Sequence, residues 1–357
     1  MNSFGVKLRF TTFGESHGKA LGCILDGVPA GLLIDEAFIQ SELDRRKPGK
    51  SEFETARKEA DKVEILSGVF EGKSTGTPIA MIIYNTNQKS RDYSNIKDVF
   101  RPGHADFTYF HKYGLRDYRG GGRSSARETA ARVAAGAVAK LMLRELGIEI
   151  VSGISEIHGI KAEVCNYDYA KESIIYALDP QIEEAQKRVI LEAKQRHDSV
   201  GGVARVLIKG APVGLGEPLY YKLDAVLGDA MMGINAVKAV EIGDGVMSAR
   251  LFGSQNNDPI RREGFESNHA GGILGGISNG DDIVLNVYFK PTPSIFQEQH
   301  TVTTNNEEVD FALKGRHDPC VAIRGTIVCE AMAALVIADM LLLNMGSKIE
   351  GVVKYYS

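Results

Sequence analysis

Tryptophan is absent, and cysteine occurs only 4 times in a chain of 357 residues. The cysteines, at 23, 165, 320 and 329, form no Cys-x-x-Cys pair. That excludes the usual zinc and disulfide frameworks and fits a reducing compartment. A basic excess is also missing: 42 Lys and Arg face 46 Asp and Glu, for a formal net charge of −4. A general nucleic-acid binder would carry the opposite balance, so that class is set aside. The first ten residues, MNSFGVKLRF, hold no apolar signal core. The most apolar stretch, 326–345, carries Glu330 and Asp339. A bilayer span needs about 20 residues with few or no charges. The expectation is a cytoplasmic protein with no membrane and no nucleic-acid partner. No linker or low-complexity tract divides the chain, so residues 1–357 are expected to form a single domain.

Glycine, by contrast, is plentiful: 39 residues, against a usual share near 7%. It clusters at 120–122, 201–202, 271–272 and 275–276. Such clusters permit positive φ and close backbone approach, for tight turns or for a ligand. An internal echo at an offset of 183 links ESHGKALGCILDGVPAGL (15–32) to DSVGGVARVLIKGAPVGL (198–215), with 6 identities in 18 positions. The shared Gly-x-Pro-x-Gly-Leu predicts two related sheet-plus-helix halves. Alternation and β-branched content predict strands over 7–13, 22–26, 63–66, 78–84, 149–157, 203–209 and 283–289. Helices are predicted over 36–47, 125–146, 180–196, 223–232 and 326–344, with Asp35 and Asp179 as N-caps. Interleaved strands and helices give an α+β class.

Several motifs invite chemistry. Gly14-Glu15-Ser16-His17-Gly18 matches the Gly-x-Ser-x-Gly elbow of serine hydrolases, but an alternating strand pattern follows it where the elbow needs a helix. The segment 68–74 resembles a phosphate loop with one residue too few between its glycines, so a turn is expected. The segment 101–132 is more informative, with seven basic residues against three acidic ones. At its centre, Gly120-Gly121-Gly122-Arg123-Ser124-Ser125 leads into Ser125-x-x-Glu128, a capping-box pattern. Free N–H groups at a helix start, beside Arg, form an anion site. Further anion-binding candidates are the stretches 44–50 (DRRKPGK) and 315–319 (GRHDP). His17 and His104 sit beside glycines and are suited to proton transfer. Asp339 stands in an apolar helix, where a carboxylate must be paired, have a raised pKa or face a site.

With GESHG (14–18), DRRKPG (44–49), RPGHAD (101–106), YRGGGRSSARET (118–129), GGILGGISNG (271–280), KPTPS (290–294) and GRHDPC (315–320), the chain resembles the chorismate synthase family nearly end to end. The resemblance implies a β-α-β sandwich, a homotetramer, and an anti-1,4 elimination of phosphate from 5-enolpyruvylshikimate-3-phosphate to give chorismate. It implies reduced FMN as cofactor without net redox change. NADPH enters only where the enzyme reduces its own flavin. No dinucleotide fingerprint is present, so an external flavin reductase is expected. By the family's motifs, flavin would meet Arg123, Ser124, Ser125, Asn235, Ala236, Gly275, Lys290, Pro291, Thr292, Pro293, Ser294 and Arg316. Arg46 falls at a substrate or NADP position. His17 and His104 match two acidic histidines, and Asp339 with Ser16 a proton relay. Two departures stand out. Glu52 occupies a position that is often Arg, with Lys50 expected to compensate, and Pro293 replaces a more usual Ser.

Overall fold

A computed structural model describes residues 1–55, 59–86, 96–313 and 317–357. Two five-stranded antiparallel sheets enclose a layer of helices. The first holds β1 (Ser3–Phe4), β2 (Arg9–Gly14), β3 (Ala20–Asp26), β4 (Val63–Ile65) and β5 (Ile79–Tyr84), in the order β1-β2-β3-β5-β4. The second holds β6 (Glu149–Ile157), β7 (Ile160–Lys161), β8 (Gly202–Lys209), β9 (Val237–Ile242) and β10 (Ile283–Phe289), in the order β9-β10-β8-β6-β7. Inward-facing side chains alternate with outward ones, as in Ile283–Phe289. The main helices are α1 (Glu36–Arg46), α2 (Asp106–Tyr113), α3 (Thr129–Arg144), α4 (Glu183–Gln195), α5 (Leu223–Met232) and α6 (Ala322–Asn344).

The central layer is α3 against α6. On one side α3 packs on β3 and β5; on the other α6 packs on β6 and β8. α6 is apolar nearly all round, and residues 322–340 are all buried. A helix of that kind belongs inside a core. Its length and composition alone would suit a bilayer, but here the two sheets bury it. Small residues let α3 come close. A Cβ added at Gly136 would fall 2.5 Å from the Ala331 Cβ.

The two halves follow one plan. β2, β3, β5 and β4 lie in the same order as β6, β8, β10 and β9. The Gly-Pro turn after β3 is held by Ser74, whose hydroxyl donates to the Pro29 carbonyl (2.6 Å) and accepts from Leu32 N–H (2.9 Å). After β8, Ser278 makes the same bonds to Pro212 (2.6 Å) and Leu215 (2.9 Å). Ser74 sits in the hairpin of Val69–Phe70 with Lys73–Ser74, and Ser278 in that of Ile273–Leu274 with Ile277–Ser278. The stretch resembling a phosphate loop is therefore a hairpin. GESHG joins β2 to β3, antiparallel neighbours, so no elbow helix follows it. Two predicted helices begin late. Two 3-10 turns, Gly122–Ser124 and Ala126–Glu128, precede α3. Asp179 accepts from Gln181 N–H and caps a turn rather than α4. The sequence pattern missed α2 and β9.

Replacing Ser74 by Ala should lower stability by about 1–2 kcal/mol, because it strands a carbonyl and an amide. Replacing Ser278 by Ala should cost the same within about 1 kcal/mol. Urea unfolding of both variants checks this, and a large effect at one site with none at the other would refute the equivalence.

Candidate active site

A cavity of ≈ 350 Å³ lies at the ends of α1 and α5 and in front of α3 and α6. Each half thus contributes the end of its short helix and the loop entering its central helix. Five basic side chains, Arg46, Arg101, Arg127, Lys290 and Arg324, line it against Glu59 and Asp318.

These cations are held from behind. Buried Arg46 donates to Asp61 Oδ2 (2.9 Å), the Ala126 carbonyl (2.9 Å) and Thr129 Oγ1 (3.3 Å). Burial, with Arg324 and Arg127 nearby, pushes its pKa down to about 10 despite Asp61. Arg127 bonds the other oxygen of Asp61 and donates to Asn85 Oδ1 (3.0 Å). Burial opposes ionisation of Asp61, but Arg46 and Arg127 hold its carboxyl below the usual range. Asp106 accepts two bonds from the Arg101 guanidinium (2.7 and 2.8 Å). Arg116 supports the same carboxylate at 3.1 Å. Arg324 pairs with Asp318, which also accepts from Thr55 N–H at 3.1 Å.

His104 Nε2 lies 2.8 Å from Ser294 Oγ. Burial, then Arg101, His317 and Lys290, push its pKa down to about 3. Ser16 and His17 are buried directly behind the glycine run, with Ser16 Oγ 3.2 Å from His17 Nδ1. Gly120, at φ +63, lies so close that a Cβ there would sit 2.1 Å from the His17 ring. That contact is why the position must be glycine.

Most of the expected residues converge. His104, Arg46, Ser124, Ser125, Asn235, Ala236, Lys290, Thr292, Pro293 and Ser294 all line the cavity. Others do not. Arg123 turns away, donating to Thr12 Oγ1 (2.6 Å) and the Gly14 carbonyl (3.2 Å). Pro291 packs at Gly201. Gly275 is exposed at a hairpin tip. Arg316 lies outside the described residues. Asp339 is off the wall entirely. Its two oxygens accept from Val6, Lys7 and Leu8 N–H at 2.9, 2.7 and 2.8 Å, so it anchors the N-terminal segment. The carboxylates that do reach the cavity are Glu59 and Asp318.

Of the seven basic residues in 101–132, only Arg101 and Arg127 reach the wall. Others are tied elsewhere, as Arg119 is to Asp117 and Arg132 to Glu128. Lys50 is not on the cavity wall. Its ammonium donates to the Arg45 carbonyl and to Tyr176 Oη (3.0 Å), away from the cavity. Pro293 lies on the wall against Gly103, and the neighbouring Ser294 keeps a hydroxyl there. Sequence reasoning missed Arg324, and marked Asp318 only as part of the stretch 315–319. The available signal was an Arg inside an apolar helix, six residues after an Asp.

The family described as chorismate synthase matches residues 8–342. The chain belongs to the chorismate synthase family. Chorismate synthase of Sulfurimonas denitrificans is 82% identical over 356 residues, covering 100% of this chain and 99% of that one. Chorismate synthase of Wolinella succinogenes is 62% identical, over 100% and 99% of the two chains. A crystal structure of chorismate synthase superposes with TM-score 0.76 at 36% identity, covering 99% of this chain and 97% of the other. The function follows: a chorismate synthase lyase, closing the shikimate pathway.

The synthase cavity should keep His104 neutral when no ligand is bound. Unfolded, a histidine binds a proton near pH 6.5; folded, His104 does so only near about 3. Between those values the unfolded state holds the extra proton, so this residue makes stability fall on acidification. Imidazole nitrogen shifts should stay neutral at about pH 5, and His104→Asn should lose less stability than the wild type between pH 7 and 4. A titration of His104 near 6.5 would refute this.

Proposed function

We propose that this cavity eliminates phosphate from 5-enolpyruvylshikimate-3-phosphate with reduced FMN bound beside the substrate. The supporting observation is the five basic side chains facing two carboxylates on one wall. Such a lining suits a ligand set with phosphate and several carboxylates, which guanidinium groups grip bidentately. The fit of a polar cofactor rests on two further atoms. Asn235 Oδ1 and Thr292 Oγ1 are buried on this wall with no hydrogen-bond partner among the described residues. Buried acceptors of this kind call for a ligand or water. Ser124, Ser125, Asn235 and Thr292 would hold the flavin. When bound, reduced FMN supplies electron density as the allylic C–O bond weakens and recovers it afterwards.

The protein's own residues do the rest. Arg46, Arg101 and Arg127 hold the substrate anions and stabilise the charge on the departing phosphate. Their own carboxylate partners fix them in place, so no reorganisation is needed during the reaction. His104 starts neutral, pressed by burial and by Arg101. An incoming anion favours its charged form. It then takes up a proton at Nδ1 or Nε2 and can return it to a leaving group. Asp318, paired with Arg324, is a wall carboxylate that this reading sets beside the substrate; Asp339 is committed to three backbone amides. An outside reductant supplies the reduced flavin in this reading, and the working form is a cytoplasmic homotetramer.

The test is anaerobic. Protein, chemically reduced FMN and the substrate are mixed, and phosphate release is followed with chorismate absorbance. Matched formation of both, absent with oxidised FMN, is expected. Asp318→Asn should lose about 100-fold or more in turnover while remaining folded. Asp339→Asn should instead lower stability by about 2 kcal/mol. The reverse pattern would overturn the assignment of the two carboxylates.

A further inference from the structure

A second cavity, ≈ 460 Å³, shares no lining residue with the first. α1 stands between them: Arg46 faces the first cavity and Arg45 the second. The floor of the second is a set of four charges. Glu330 accepts from the Arg45 guanidinium (2.8 and 2.9 Å), the Lys140 ammonium (2.5 Å) and the Ser152 hydroxyl (2.7 Å). Glu42 accepts from Arg45 at 2.9 Å and from Lys140 at 2.5 Å. Two cations and two carboxylates therefore cancel.

Above this floor the wall is apolar, built from Phe38, Leu143, Ile148 and Val151. On the rim, Lys171 faces Glu149 at 3.7 Å, and those charges also cancel. Arg144 is what remains. Its guanidinium lies over the Phe38 ring, 3.7 Å from the centroid. The stacking orients the group through its face. Its N–H edge makes no hydrogen bond or ion pair among the described residues. The lining thus carries one uncompensated, pre-oriented cation beside an apolar wall.

We propose that this cavity is a second ligand site, for a small monocarboxylate with a flat apolar body. The carboxylate pairs with the Arg144 edge, a geometry for which a planar fork is suited. The body lies on Phe38, Leu143 and Ile148. A second anionic group would meet Glu42 and Glu330, whose cations are already engaged, so dianions are disfavoured. The volume is within the usual range for small-molecule pockets of about 300–1,000 Å³.

The probe is 4-fluorobenzoate, followed by fluorine NMR with the full chain. Saturable line broadening is expected at roughly millimolar ligand. Arg144→Ala removes a surface charge without touching the first cavity, and should weaken binding about tenfold or more. Leu143→Trp fills the apolar wall and should abolish the effect. No broadening up to about 10 mM, or broadening unchanged in Arg144→Ala, would overturn the proposal.

Discussion

One buried carboxylate holds the active site in shape. Asp61 is 1% exposed and adopts a left-handed backbone at φ 47. It receives Arg46 from the end of α1 on one oxygen and Arg127 from the loop before α3 on the other. Burying three charged groups is costly, and a hydrophobic replacement of such a cluster is often as stable or more so. The arrangement is therefore better explained by what the cations face than by stability. With Asp61 behind them, two mutually repelling guanidinium groups stay side by side on the cavity wall. The pairs Arg101 with Asp106 and Arg324 with Asp318 repeat the device around the rim.

The cavity sits where equivalent parts of the two halves meet. Each half sends in the end of a short helix and the loop before a long one. The halves share strand order and the serine-held turn, yet the residues they bring to the cavity differ. The first brings Arg46, Arg101, His104 and Arg127 with Glu59; the second brings Lys290 and Arg324 with Asp318, and the polar Asn235 and Ser294. The hydrogen bond between Ser294 and His104 joins the two contributions. A repeated scaffold has thus produced a site with one more cationic side and one more mixed side.

Much of this was legible in the sequence. Strands such as Ile283–Phe289 and helices such as Leu223–Met232 follow directly from apolar periodicity. The Gly-x-Pro-x-Gly-Leu echo exposed the repeated turn because positive φ restricts residue choice there. The glycine run 120–122 was readable as a site of close approach, although what approaches it is the His17 ring. The partners of buried charges were not readable. Asp61 lies far in sequence from Arg127, and nothing local marks it as their link. Asp339 shows the same limit from the other side. A carboxylate in an apolar helix signals an obligation to be satisfied, but not whether a substrate or three backbone amides meet it.

The contact at Gly136 and Ala331 reaches further than packing. Each of the two central helices begins just after a loop that forms the cavity wall, so the spacing of those loops is inherited from the spacing of the helix axes. A glycine and an alanine in the middle of the molecule therefore act as its gauge block. They set the separation at which the cationic side and the mixed side confront each other, although neither touches the cavity.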